Sequence, residues 1–159
     1  MGAGKSTIGR MLAKELACPF LDSDHIIEER SGADIPWIFD VEGEQGFRDR
    51  ESQVIEEVCA RSGVVLATGG GAVGRAENRR HLSTHGFVVY LQTPVAVQLQ
   101  RTEKDKRRPL LQRPDREVVL NRLLQERDPL YRAIADLILD TAAMSPRQVI
   151  RKIIHEVGK

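Results

Sequence analysis

The residues best suited to chemistry stand at the start of the chain. Gly2-Ala3-Gly4-Lys5-Ser6-Thr7 fills the end of the phosphate-loop pattern G-x-x-x-x-G-K-[ST], whose first glycine falls two residues ahead of Met1. Phosphate oxygens must come close to bare backbone N–H groups, and glycine leaves room for that approach. Lys5 can reach the β- and γ-phosphates as a point charge, and Ser6 can ligate Mg²⁺ through its hydroxyl. A helix starting near Lys5 would turn its positive dipole end toward the nucleotide. The same stretch also matches the myristoylation pattern M-G-x-x-x-[ST]. That match is read as coincidence, because phosphate binding accounts for each residue.

Further along, Asp22 and Asp24 follow the apolar run Pro19-Phe20-Leu21, read as a buried strand that delivers two carboxylates at its carboxyl end. Open α/β sheets hold their ligands there. Either aspartate could instead cap a helix beginning at His25, and one can cap while the other does chemistry. Val64-Val65-Leu66-Ala67 reads as a second strand, with Thr68-Gly69-Gly70-Gly71 at its end. Three consecutive glycines are entropically wasteful unless something approaches the backbone closely. Arg48 lies in the charged run Gly46-Phe47-Arg48-Asp49-Arg50-Glu51 and, on composition, belongs to a solvated surface. The segment 102–114, rich in Lys and Arg and without apolar period, is the candidate lid.

The elements that must position these residues are legible from periodicity. Ile8, Met11, Leu12 and Leu16 recur at helical spacing, ending near Ala17 ahead of Pro19. Ser31-Gly32 breaks the helix from His25. Ile35, Trp37, Ile38 and Phe39 form a short helical segment, and a separate helix runs from Glu44 to Val58, with Gly63 just past its end. Arg75–His85 is a helix, Phe87–Leu91 a strand, and Thr93-Pro94 caps a helix to Arg101. Arg116–Arg127 is helical, with a new turn at Asp128-Pro129. Leu137–Leu139 is a strand, and Ser145-Pro146 opens a terminal helix carrying Val149, Ile150, Ile153, Ile154 and Val157. Strands alternating with helices argue for a parallel sheet covered on both faces.

Composition narrows the function classes. A chain of 159 residues that is 41% hydrophobic is one domain, 1–159, able to bury a single core. A formal net charge of +1 provides no global field for nucleic acid or an anionic membrane. Two cysteines, Cys18 and Cys59, are too few for a disulfide framework and point to a reducing cytoplasm. No apolar run approaches the ~18 residues of a membrane span.

Taken together, Gly2-Ala3-Gly4-Lys5-Ser6-Thr7-Ile8-Gly9, Asp22-Ser23-Asp24, Gly32-Ala33-Asp34-Ile35, Glu42-Gly43-Glu44, Phe47-Arg48-Asp49-Arg50-Glu51, Ala67-Thr68-Gly69-Gly70-Gly71, Arg108-Pro109-Leu110-Leu111 and Arg127-Asp128-Pro129-Leu130-Tyr131 resemble the shikimate kinases, small P-loop proteins of the nucleoside-monophosphate-kinase-like group. The resemblance covers the whole chain. It implies a three-layer α/β fold with a central parallel sheet, and transfer of the ATP γ-phosphoryl group to the 3-hydroxyl of shikimate by a cytoplasmic monomer.

The resemblance also implies site roles. Lys5 and the backbone of Gly2, Ala3, Gly4, Ser6 and Thr7 would hold the phosphates. Ser6 would bind Mg²⁺ directly and Asp22 through water. Asp24 would accept a hydrogen bond from the attacking hydroxyl and act as its base. Arg48 and Arg127 would pair with the shikimate carboxylate, and Gly70 and Gly71 would present N–H groups to the same substrate. Arg108 would neutralise charge on the transferring group, and Arg101 would lie against the adenine.

The family's first, central strand precedes the position of Met1. The expected sheet therefore lacks that strand, a chain truly starting at Met1 should be unstable or misassembled, and Met1 is expected to be an internal methionine of the phosphate loop. An inactive truncated fragment, a non-catalytic nucleotide-binding module, or a kinase of another hydroxy acid such as gluconate are the alternatives.

Overall fold

A computed structural model describes residues 4–103 and 115–159. Helix α1 (Lys5–Glu15) leads into strand β1 (Phe20–Asp22), then α2 (Ser23–Ser31), α3 (Ile35–Cys59) and β2 (Val65–Ala67). A short 3-10 turn at Gly70–Gly74 precedes α4 (Ala76–His85) and β3 (Val89–Gln92). Then come α5 (Val95–Thr102), α6 (Arg116–Ile134), β4 (Leu137–Asp140) and α7 (Pro146–Val157).

The strands form two parallel pairs. β1 pairs with β2, with Leu21 opposite Leu66, and β3 pairs with β4, with Tyr90 opposite Ile138. Both pairs are joined through helices, as parallel neighbours must be. Among the described residues no strand bridges the two pairs.

Strand alternation sends neighbouring side chains to opposite faces and so builds two cores. On one face Ile8 and Leu12 of α1 meet Leu139, Val149, Ile150 and Ile153, with Val65, Val89 and Leu91 packed against them. On the other, Ile27, Ile35, Ile38, Phe47, Val54 and Val58 pack with Leu21, Val64 and Leu66. Helix, sheet and helix thus form the expected three layers.

Local rules explain most boundaries. Ser145 accepts from the Gln148 N–H while the Gln148 side chain accepts from the Ser145 N–H, a complete capping box ahead of Pro146. Ser31-Gly32 breaks α2 as expected, with Gly32 in the left-handed region at φ 69°.

Four readings are corrected. The two helical segments around residue 40 run on as α3, interrupted only at Gly43 (φ 74°, ψ 177°), whose side chain-free backbone adopts a turn unsuited to other residues. Gly63 lies in the turn before β2 rather than directly after the helix, which ends at Cys59 with Ala60 as its cap. Thr93 does not cap α5: Pro94 holds that position, and the Thr93 hydroxyl is buried, 2.6 Å from the Thr141 hydroxyl. Asp128-Pro129 does not restart a helix, because α6 continues through Pro129 to Ile134. Tertiary packing of an amphipathic helix outweighs the ~3 kcal/mol proline penalty there.

Ile38 is 1% exposed in the α3 core, whereas Val118 on α6 is 65% exposed. Ile38→Ala is expected to lower unfolding free energy by about 2–5 kcal/mol, and Val118→Ala by less than about 0.5 kcal/mol, in urea titrations. Equal losses would contradict this placement of the core.

Candidate active site

The N-terminus of α1 is capped by Gly4, at φ 81°, which has no side chain to offer to the first N–H groups of the helix. Its first N–H groups and the Lys5 side chain therefore sit at the end of a helix whose dipole favours an anion. One turn in, the Ser6 hydroxyl donates to Asp22 Oδ2 at 3.1 Å. The other Asp22 oxygen accepts from the backbone N–H of Asp24 at 3.0 Å and of His25 at 3.5 Å, capping α2. One carboxylate thereby ties the first turn of α1 to the first turn of α2. The sequence left open which aspartate caps: it is Asp22, and it holds Ser6 as well. The hydroxyl and carboxylate oxygens of this pair are hard donors that suit Mg²⁺, which takes one or two protein oxygens and keeps several waters.

Asp24 follows on the first turn of α2 and points toward the glycine turn. A methyl group built on Gly69 would sit 3.0 Å from Asp24 Oδ1 and 3.2 Å from Glu51 Oε2, so both carboxylates converge on this backbone. Arg48 donates to Glu51 Oε1 at 2.8 Å, and its side chain is only 13% exposed. A Cβ on Gly71 would overlap the Arg48 guanidinium, which is the close approach that the run of glycines implied. The solvated-surface reading of Arg48 is therefore overturned. Charged neighbours in sequence did not reveal that Glu51 turns into the core.

Around this centre the glycine turn is held from several sides. The Tyr131 hydroxyl donates to the Gly70 carbonyl at 2.6 Å, Asn78 Nδ2 to the Ala72 carbonyl at 2.9 Å, and Arg79 Nη1 to the Val73 carbonyl at 2.7 Å. Arg127 lies beside both Tyr131 and Glu51 and interacts electrostatically with each. Lys5, Gly69, Gly70, Arg127 and Tyr131 line one cleft. Arg101 Nη1 donates to the Thr141 hydroxyl at 3.3 Å, and that hydroxyl lies 2.6 Å from the Thr93 hydroxyl, on a residue that lines the same cleft. Gly2, Ala3 and Arg108, with the lid segment from residue 104 to 114, lie outside the described residues.

Glu51 and Tyr131 were absent from the expected site. A helix-spacing argument could have found them: Glu51 is three residues after Arg48 and Tyr131 four after Arg127, each on the same helix face. Burial raises the Glu51 carboxyl above the usual range, opposed by Arg48 and Arg127 and reinforced by Asp24. Burial likewise raises the Tyr131 hydroxyl, which stays protonated and donating.

A basic helix N-terminus, a serine–aspartate pair of metal-binding type and an arginine-lined pocket at strand ends define an ATP-dependent phosphotransferase of the P-loop class. The shikimate kinase family pattern matches residues 1–158, and the chain belongs to that family. It is 59% identical to a shikimate kinase of Pseudomonas syringae pv. syringae over 159 residues, covering 100% of this chain and 92% of that one. It is 58% identical to the Halorhodospira halophila shikimate kinase over 155 residues, 98% of this chain and 88% of that one. The solved shikimate kinase from Acinetobacter baumannii in complex with shikimate superposes with a TM-score of 0.96 at 54% identity, covering 99% of this chain and 88% of that one. The inert-module and gluconate-kinase alternatives gain no support from these relatives.

Glu51 binds its proton more readily folded than unfolded, so its contribution to stability is full below the ordinary glutamate range and is lost as pH rises through the raised value. Urea midpoints measured from pH 4 upward should fall along that limb in the wild type and flatten in Glu51→Gln. An unchanged slope in the variant would contradict the assignment.

Proposed function

We propose that this chain transfers the ATP γ-phosphoryl group to the 3-hydroxyl of shikimate, with Mg²⁺, giving shikimate 3-phosphate and ADP. The observation that carries the reading is the convergence of Asp24, Arg48 and Arg127 on the glycine turn beside Lys5, supported by the family of the chain. Mg²⁺, held by Ser6 and through water by Asp22, neutralises phosphate charge when bound. The N–H groups from Gly2 through Thr7 and the Lys5 ammonium hold the phosphates.

Arg48 and Arg127 bind the substrate carboxylate, using the planar fork that lysine lacks. Gly70 and Gly71 present backbone N–H groups to the same molecule. That docking sets the 3-hydroxyl against Asp24, whose carboxylate accepts the proton as the oxygen bonds to phosphorus and the bond to the β-phosphate oxygen breaks. Arg108, on the lid at 102–114, neutralises charge on the transferring group, and Arg101 lies against the adenine. Catalysis is then positioning plus electrostatics, which phosphoryl transfer chiefly needs.

We read the protein further as a cytoplasmic monomer that uses neither nucleic acid nor a membrane. Among the described residues no helix is long and apolar enough to cross a bilayer, and both cysteines are free thiols. Size-exclusion chromatography with light scattering tests the monomer; a stable dimer would refute it.

A coupled assay for ADP release in the presence of shikimate tests the reaction, and its failure with a folded, ATP-binding chain would overturn it. Asp24→Asn is expected to lower kcat by about 10²–10⁴-fold while leaving ATP binding near wild type. Arg127→Ala should chiefly raise the shikimate KM, by roughly 10–100-fold, the loss of one charged hydrogen-bonding group. Unchanged kinetics in both variants would remove them from the site.

A further inference from the structure

Helix α6 holds Tyr131 against the glycine turn, with Arg127 beside it, and on its adjoining face turns Asp128 and Arg132 toward strand β3. Tyr90 and Gln92, two residues apart on β3, share one face of that strand and meet them there. The Tyr90 hydroxyl donates to Asp128 Oδ1 at 2.7 Å, Arg132 Nε donates to Asp128 Oδ2 at 2.8 Å, and Arg132 Nη2 donates to Gln92 Oε1 at 3.1 Å. The Tyr90 ring also packs on Tyr131, with centroids 4.7 Å apart and planes tilted by 39°, and the Arg132 guanidinium stands 6.0 Å from the Tyr90 centroid. Both oxygens of Asp128 are therefore engaged, one across to β3 and one along its own helix.

The clamp stands where the helix needs it. Pro129 has no N–H to give to the Gln125 carbonyl, so α6 loses one of its own hydrogen bonds in the turn that carries Arg127 and Tyr131. Burial would raise the Asp128 carboxyl, but hydrogen bonds from Arg132 and Tyr90 outweigh it and hold that group below its usual range. Burial, with the hydrogen bond to this carboxylate, pushes the Tyr90 hydroxyl well above the usual phenol range, so it remains a donor. On the adjoining face the Tyr131 hydroxyl donates to the Gly70 carbonyl at 2.6 Å. Two anchors on neighbouring faces fix the rotation of a helix about its axis, which one anchor leaves free. Side-chain tips stand ~5–6 Å from that axis, so a turn of ~10° moves them by ~1 Å. Misplacement on that scale costs up to ~10²-fold in an enzyme site.

We propose that Tyr90 and Asp128 are positioning residues for the acceptor substrate: their hydrogen bond sets the rotation of α6, and through it the direction in which Arg127 presents its guanidinium to the substrate carboxylate. The inference rests on the role given to Arg127 in the reaction proposed above. Because the pair acts through Arg127, its effect falls on binding of shikimate and spares both ATP binding and the phosphoryl step.

The test measures shikimate and ATP binding by calorimetry alongside steady-state kinetics. Tyr90→Phe keeps the ring contact with Tyr131 and removes only the hydroxyl. It is expected to weaken shikimate binding and raise the shikimate KM by about 5–10-fold, with ATP affinity and kcat within about twofold of wild type. Asp128→Ala should do the same, whereas Asp128→Asn, which retains an acceptor for the hydroxyl, should stay within about threefold of wild type. In the Arg127→Ala background, Tyr90→Phe should change shikimate binding by less than about twofold, because the group it aims is gone. A merely structural role would weaken binding by the same factor in both backgrounds. Unchanged shikimate binding in Tyr90→Phe, an equal loss of ATP affinity, or a loss that persists without Arg127 would each overturn the proposal. Failure of the folded wild type to bind shikimate would refute the reaction itself, while binding that ignores Tyr90 would refute the clamp alone.

Discussion

The site depends on one ion pair, Arg48 with Glu51, the carboxylate having no solvent exposure. A buried carboxylate is tolerated only where a charge and hydrogen bonds replace water, and removing one partner of such a pair is far more costly than the pair is stabilising. Arg48 is therefore held from below by the core while its guanidinium fills the space above Gly71. The glycine turn, in turn, is pinned by Tyr131, Asn78 and Arg79. Positioning of Arg48 here is a property of the packed interior, with α3, α4 and α6 all contributing.

This arrangement also explains why the glycines are needed. Strand β2 ends at Ala67, and the chain then passes between Asp24, Glu51 and Arg48 with no room for a Cβ at Gly69 or Gly71 without displacing a charged group. Asp24 and Glu51 both approach that backbone, and their mutual repulsion adds to burial in favouring the protonated form of Glu51.

Much of this was legible in the sequence, and the reasons are particular. The phosphate-loop residues announce themselves by spacing, and the helix behind them by the recurrence of Ile8 and Leu12. Asp22 and Asp24 were found because carboxylates after a short apolar run belong at a strand end. Arg48 was legible only through the family resemblance, because a run of alternating charges says nothing about which side chain turns inward, and that choice is made by long-range packing against the glycine turn. Pro129 misled for a related reason: local propensity argues for a break, but Leu120 and Leu123 bury the helix deeply enough to carry it through. The parallel pairing of β1 with β2 and of β3 with β4 matches the expectation of a parallel sheet, since pairing follows from which apolar runs are joined through helices.

The bond from Ser6 to Asp22 and the cap from Asp22 to Asp24 make a continuous chain of contacts between the first turn of α1 and the first turn of α2. Asp22 thus belongs to both helix starts. A replacement there loosens the α2 cap and the serine together, so its effects cannot be assigned to either helix start alone. By the reciprocity of linked equilibria, any coupling between two ligands that runs through that carboxylate must appear, with equal size, in the affinity of each.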